Sequence, residues 1–366
     1  MKKLFLFIVL LAGAGFTVQA QNVFYADNNQ GSPVNNAQNN YSSLQAAIDA
    51  AAAGDIIYIQ PSPNSYGDVN MTKPLAFYGL GHNPQLNNGA RAVVNNIFFR
   101  SADASGSIIS GLEISGIYLD NTTYNNHNVV ITNNRINNIH GNPQTGKAND
   151  AFIAGNFFYE GGFNYIDNYN SQNWVFTHNT FTHEISIGSW ALFYRLNNST
   201  LLNNNIILSR QNGDTNQRIT LFSDCSGVQI SNNIFIFTGN AVIDFTTLGS
   251  NSALNFQNNL TYSTNTTLNA LSGTNNIDDT NPLFVSFNPA TALNNTANDY
   301  HFQTGSPAIV AGADGKDLGV ENGNYPFSIR GYPTGLPYLT YFVINNNFLS
   351  AGTDLDIQVK ASANSN

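Results

Sequence analysis

Short apolar stretches flanking a polar pair recur along this chain. Val93-Val94-Asn95-Asn96-Ile97-Phe98 comes first, then Ile131-Thr132-Asn133-Asn134-Arg135-Ile136 and Ile153-Ala154-Gly155-Asn156-Phe157-Phe158. Copies around His178-Asn179, Asn204-Asn205, Asn232-Asn233 and Asn258-Asn259 follow, and Ile109-Ser110-Gly111-Leu112-Glu113-Ile114 is a variant. From Leu112 the second position of the pair recurs at 134, 156, 179, 205, 233 and 259. A repeat of roughly 20–30 residues marks a solenoid, and the dense leucine pattern of leucine-rich repeats is missing. Each unit predicts two short strands around a polar corner, and the next copy supplies their hydrogen-bond partners. Stacked copies form parallel sheets about 4.8 Å apart per coil. The second amide of each pair, in a series from Asn96 to Asn259, is then expected to stack on its equivalents as a buried ladder.

The ends read differently. Residues 42–53 predict the one convincing helix, with Ser42 as cap, Gln45 completing a capping box, Leu44, Ala47, Ile48 and Ala51 on one face, and Gly54 as the stop. Ile56-Ile57-Tyr58-Ile59 follows as a strand. After residue 280 the repeat fades, and 338–348 and 353–360 predict two final strands around Ser350-Ala351-Gly352. Solenoids need capped ends, which suits a helix at one end and a small β element at the other.

Composition explains why the corners matter. The chain has 366 residues, of which 60 are Asn and only 10% charged. Asn is poor in helix and strand interiors but good in turns. The aromatic share of 12% argues against disorder, and a net charge of −9 against non-specific nucleic-acid binding. Lys2 and Lys3, the apolar run Leu4–Phe16 and Val18-Gln19-Ala20 predict a secretory signal peptide over 1–20. The expected location is therefore extracellular, periplasmic or on the cell surface. No later segment predicts a transmembrane span, and a monomer is expected. Cys225 is the sole cysteine, so no internal disulfide can form.

Three passages together resemble the right-handed parallel β-helix proteins of the pectin lyase-like superfamily. They are Tyr41–Ala50 with Gly54–Ile59, the repeated Asn-Asn unit, and Asn281-Pro282-Leu283-Phe284 through Gly305-Ser306-Pro307-Ala308-Ile309. The resemblance implies an all-β, right-handed parallel β-helix over 21–320, capped by the helix at 42–53, with a closing β element over 321–366. It also implies polysaccharide as the partner class, since pectate, alginate and chondroitin lyases and polygalacturonases share this fold. The paired aspartates and Gly-His-Gly of polygalacturonase-like members are absent. Asn173–Phe181 is similar to the coil that follows the catalytic lysine of chondroitin and alginate lyases, but Asn170 stands at the lysine position.

Ionisable residues concentrate between 160 and 224. A β-eliminating lyase needs a base, a cation that neutralises the uronate, and an acid for the leaving oxygen. His183 or Tyr194 would be the base and Arg195 or Arg210 the neutraliser. The repeat frame puts Glu160 beside His183, and Glu184 beside Arg210 as an opposite-charge pair. Glu160, Glu184, Trp190 and Arg218 complete the substrate-binding set. His178, standing where other units have Asn, is expected to serve the corner ladder. The sequence assigns no cofactor with certainty and leaves Ca²⁺ open. Asp167, Asp214 and Asp224 carry the oxygen ligands that Ca²⁺ takes, although no Asp-x-Asp spacing gathers them. Two function classes stay open, a polysaccharide lyase and a non-catalytic glycan-binding protein, with a structural or adhesive surface protein as a third.

Overall fold

The computed structural model describes residues 21–363 apart from 33, 84, 88, 120–124, 142–146, 160–165, 170, 186–190, 212–217, 240–241, 245–250, 289–292, 294, 296, 322–324, 326 and 345–356. Residues 1–20, expected from the sequence to form a signal peptide, therefore lie outside the described residues.

The chain winds into a parallel β-solenoid. One sheet is built from a three- or four-residue strand of each coil. It runs from Val23–Ala26 and Ile56–Ile59 through Ile108–Ser110, Val130–Thr132, Phe152–Ala154, Val175–Thr177 and Leu201–Asn203 to Asn255–Gln257, with the two-residue strands Asn40–Tyr41 and Gly273–Thr274 at its edges. Each strand pairs in parallel with the equivalent one a coil away, as in Ile109↔Ile131 and Ile153↔Phe176. Inward residues of successive coils, such as Ile131, Ile153, Phe176, Leu202 and Ile230, stack into one continuous core. Burial of this stack supplies the main stabilisation.

The second sheet starts with Val69–Met71, Val93–Phe99, Glu113–Tyr118 and Arg135–His140. It then forks. The first half of Arg135–His140 pairs with Phe157–Phe158, and this branch continues through Thr180–Ile185, Ile206–Gln211 and Ile234–Thr238. The second half pairs with Ile166–Asp167, and that branch continues through Phe193–Tyr194 to Phe222–Ser223. Insertions between the branches cause the fork. Tyr118 and His140 lie six residues past their corners at 112 and 134, whereas their register partners Asp167 and Tyr194 lie eleven and fifteen past theirs.

The two members of each polar pair do different jobs. The first occupies the left-handed backbone region: Asn133 (φ 55°), His178 (54°), Asn204 (53°), Asn232 (58°) and Asn258 (53°), with Gly111 and Gly155 in the other copies. Asn tolerates this conformation better than most residues, and Gly has no steric penalty there. The second amide points inward and forms the ladder Asn134, Asn156, Asn179, Asn205, Asn233, Asn259, Asn276. Asn276 extends the expected series. Asn96 does not belong to it: it sits mid-strand in Val93–Phe99, opposite Gly116, and its amide donates to Asp68 at 2.8 Å. The residue of that coil preceding Glu113's partner Val93 is Ala92, which cannot join an amide ladder. His178 likewise takes the left-handed position, where its ring meets Thr177 Oγ1 at 2.7 Å and Asn204 at 3.4 Å.

The helix spans Leu44–Ala50 and packs on the first coils through Leu44, Ala47 and Ile48. Its cap is Ser43 rather than Ser42, with the Ala46 N–H donating to Ser43 Oγ. Gln45 therefore falls outside a capping box and bonds instead to Asp49 and to the backbone of Asn70.

Beyond the last coil the chain turns back along the outside of the solenoid. The Asn258 amide donates to Ala311 O, and Asn232 accepts from Ala313 N and Gly319 N. Further on, Tyr325 meets Phe152, Phe327 meets Phe157, Asn83 donates to Ile329 O, and Asn133 donates to Thr334 Oγ1. This strap thus passes from the last coils to the early ones, bonding the left-handed corner residues as it goes. A second apolar cluster lies beneath it, joining Ile206, Leu208, Ile234 and Ile236 of the forked branch to Phe284, Tyr300, Leu318 and Val320. The chain ends in an antiparallel hairpin of Pro337–Ile344 and Ile357–Ala363, close to the two expected strands.

Candidate functional site

The fork separates the residues expected to act together. On the first branch, Glu184 pairs in register with Arg210, and their side chains approach to 3.8 Å as the repeat frame predicts. Both side chains have further partners: Glu184 accepts from Leu293 N, and Arg210 donates to Thr238 Oγ1 on the next coil. His183 is in register with Ser209, one residue before Arg210. Successive strand residues face opposite sides of a sheet. His183 therefore points to the inner face with Phe181, and is only 3% exposed, while Glu184 and Arg210 point outward. A base and a neutralising cation for one substrate must share a face, and His183 and Arg210 do not.

Glu160, Trp190 and Asp214 lie outside the described residues. Arg218 begins the strand Arg218–Thr220, paired with Val242–Asp244, and its side chain is likewise outside the description.

Tyr194 and Arg195, on the other branch, do come together. Arg195 occupies a left-handed turn (φ 55°) directly after the strand Phe193–Tyr194. Its Nε donates to Asp167 Oδ1 at 3.0 Å, and its Nη2 donates to Asp167 Oδ2. The guanidinium also lies 3.6 Å from the Tyr169 ring centroid and 4.4 Å from that of Tyr194. Burial pushes the Asp167 carboxyl up, and Arg195 pulls it part of the way back. A hydrogen bond to the Asp224 carboxylate raises the Tyr194 phenol. Asp167, Arg195 and Asp224 thus make an alternating-charge series over three coils.

This cluster ends a longer outward column. Register pairs run Phe98↔Tyr118, Tyr118↔His140, His140↔Asp167, Asp167↔Tyr194 and Tyr194↔Ser223. The inward neighbours Ile97, Ile117, Ile139, Ile166 and Phe193 are core residues, which fixes the outward direction of the column. Phe98 stacks on Tyr118 at 4.9 Å and Tyr118 on His140 at 4.7 Å, the second pair tilted by only 3°. Arg100 covers Phe98 at 4.5 Å. Burial lowers the His140 pKa to about 4, so its imidazole is neutral at neutral pH.

Phe98, Tyr118 and His140 are not among the expected site residues, because that expectation rests on where ionisable groups cluster in the sequence. The repeat frame holds the signal that finds them: Tyr118 and His140 both stand six residues past their corners and follow an inward isoleucine.

Among the described residues no three His, Cys, Asp or Glu side chains are arranged to hold a metal ion. Asp167 is bound to Arg195 and Asp224 to Tyr194. Cys225 is buried, and desolvation pushes its thiol up to about 12. No helix among the described residues is long and apolar enough to cross a membrane. No protein-family model matches the chain, and no curated protein matches it.

Proposed function

We propose that this is a secreted polysaccharide-binding protein, a right-handed parallel β-helix of the pectin lyase-like type whose N-terminal end is capped by the helix Leu44–Ala50. One observation carries the functional reading: the outward column Phe98–Tyr118–His140–Asp167–Tyr194, flanked by Arg100 and Arg195. Four steps of about 4.8 Å give it a length of about 19 Å, enough for an extended polymer to lie along it. Rings stacked on one another turn their edges outward, so glycan contact here runs through the Tyr118 hydroxyl, the imidazole edge of His140 and the flanking guanidinium groups. These are hydrogen-bonding groups suited to sugar hydroxyls and uronate oxygens.

The same residues favour binding over catalysis. A general base works best with a pKa near the operating pH. The His140 imidazole is held far below that range and the Tyr194 phenol is pushed above its usual value. Arg195 already shares its charge with Asp167. Affinity electrophoresis in gels containing alginate, pectate or chondroitin sulfate tests the proposal. Retardation by at least one polymer, reduced by Tyr118→Ala and by Arg100→Ala, is expected. Unchanged mobility in all of them would overturn it.

The adjacency of Tyr194 and Arg195 supports a second reading as a β-eliminating lyase. Incubation with the same polymers, with and without Ca²⁺, would then produce the ultraviolet absorbance of an unsaturated uronate. That absorbance would have to be lost in Tyr194→Phe.

A further inference from the structure

A separate pocket opens where the forked branch meets the returning chain. Its walls are Ile236 of the strand Ile234–Thr238, Tyr262 of the next strand of the branch, Leu260–Ser263, the segment 281–288 that contains the strand Phe284–Ser286, and Gln303. The cavity measures about 460 Å³. Small-molecule sites commonly fall in the range of roughly 300–1,000 Å³.

The lining has a distinct chemistry. Tyr262 and Phe287 supply rings that are only partly buried, and Thr264, Asn281, Ser286 and Gln303 supply hydroxyl and amide groups. No Lys, Arg, His, Asp or Glu lines it among the described residues. Asp299 and His301 of the adjoining strand are paired with each other at 2.6 Å and do not line it. Several polar groups are held in place. Asn281 accepts from Leu283 N and its amide reaches the Tyr262 hydroxyl, while Gln303 donates to Phe284 O at 2.7 Å.

We infer that this pocket binds an uncharged sugar unit of a glycan chain. A charged ligand would lose water without gaining a counter-charge, which is costly. Sugar hydroxyls both donate and accept, as the amides and hydroxyls here do. The apolar C–H face of a sugar ring fits against Tyr262 or Phe287. This site lies apart from the lateral column and would select a different chemistry, neutral rather than acidic.

The test is saturation-transfer NMR with neutral hexasaccharides of glucose, xylose and mannose, and with hexagalacturonate as the acidic comparison. Ser286 is exposed, so Ser286→Trp fills the pocket without disturbing the core. Gln303→Ala removes a polar wall. At least one neutral hexasaccharide is expected to bind, to weaken by about tenfold or more in Ser286→Trp, to weaken in Gln303→Ala, and to be unaffected by Tyr118→Ala. Binding of no neutral hexasaccharide, or binding untouched by Ser286→Trp, overturns the inference. Polymer retardation that depends on Tyr118 would still support the lateral column in that case. Ser286-dependent binding without polymer retardation would support the pocket alone.

Discussion

Asn179 lies directly beneath Asn205, and a single oxygen joins them twice. The Asn205 Oδ1 accepts the backbone N–H of Asn179 at 2.9 Å and its side-chain N–H at 3.0 Å. The other Asn179 amide proton goes to Ile153 O at 2.9 Å. Asn205 repeats the pattern toward Asn233 and Phe176. Each interior amide thereby uses both donors and both acceptor sites while fully buried.

Replacing Asn205 with Leu leaves the two Asn179 donors and the carbonyl of Phe176 without their partner. Each unsatisfied buried group costs about 1–3 kcal/mol, so a total loss of about 3 kcal/mol or more is expected. Asn276 ends the ladder and is only partly buried, so Asn276→Leu is expected to cost distinctly less. Urea midpoints of the two variants check this. Equal losses would mean that the ladder does not act through burial of its amides.

Arg195→Met leaves the Asp167 carboxyl buried, with its side chain only 2% exposed, and without its cation. Breaking a buried pair in this way costs about 3–5 kcal/mol. The folded-state pKa of Asp167 is already raised by burial, and loss of Arg195 raises it further. A raised carboxyl pKa means that the folded form binds a proton more readily than the unfolded form. Its contribution is therefore most favourable at low pH and is lost as pH rises through the raised value. The deficit of Arg195→Met relative to the parent protein is expected to be largest at neutral pH and to shrink as pH falls through the raised folded-state values of the two proteins, both of which lie above the unfolded carboxylate range. A deficit independent of pH would assign the loss to packing against Tyr169 and Tyr194 instead.

How much of this was legible follows from what each feature depends on. The ladder from Asn134 to Asn259 could be read because one amide recurs at a fixed place in each coil. The pairing of Glu184 with Arg210 followed from the same frame. The separation of His183 from Arg210 was also implicit, since strand neighbours face opposite sides. The strap was not legible: Ala313 and Thr334 bond to Asn232 and Asn133 across long sequence separations that no local period encodes. The fork hid the lateral column in the same way, because insertions of unequal length put Asp167 and Tyr194 out of step with Tyr118 and His140.

Gly331→Ala tests the strap. Gly331 has φ +66°, and an added Cβ would run into the His82 ring. Gly335, at φ +77°, has open space around its Cβ position. Both substitutions incur the left-handed penalty, but only Gly331→Ala adds a clash, for a combined cost of about 2 kcal/mol or more. The neighbouring Arg330 donates to Leu86 O and offers a tryptic site. Cleavage after Arg330 is expected to accelerate in Gly331→Ala well beyond Gly335→Ala. Matching rates would show that the contact with His82 does not hold the strap.

Acid sensitivity should follow from two buried imidazoles. Burial lowers His140 to about 4, and burial with the nearby Arg135 charge lowers His82 to about 3. Both have an ordinary value of 6.5 when the chain unfolds. Between these limits the unfolded chain binds more protons than the folded one, so stability rises with pH across the window. The two histidines contribute fully above the unfolded value and lose their contribution as pH falls from 6.5 toward 4. Each can change stability by up to about 1.4 kcal/mol per pH unit there. His301 acts in the opposite direction, because its bonds to Asp299 and Glu321 raise its pKa and favour the folded form below its unfolded value. Its imidazole is 70% exposed, so solvent screening reduces that contribution. The net expectation is a urea midpoint that falls steadily from pH 7 to pH 5, with a shallower fall in His140→Gln. A midpoint unchanged over that interval, or an unaltered slope in His140→Gln, would mean that the imidazole in the ring stack takes up its proton without cost to the fold.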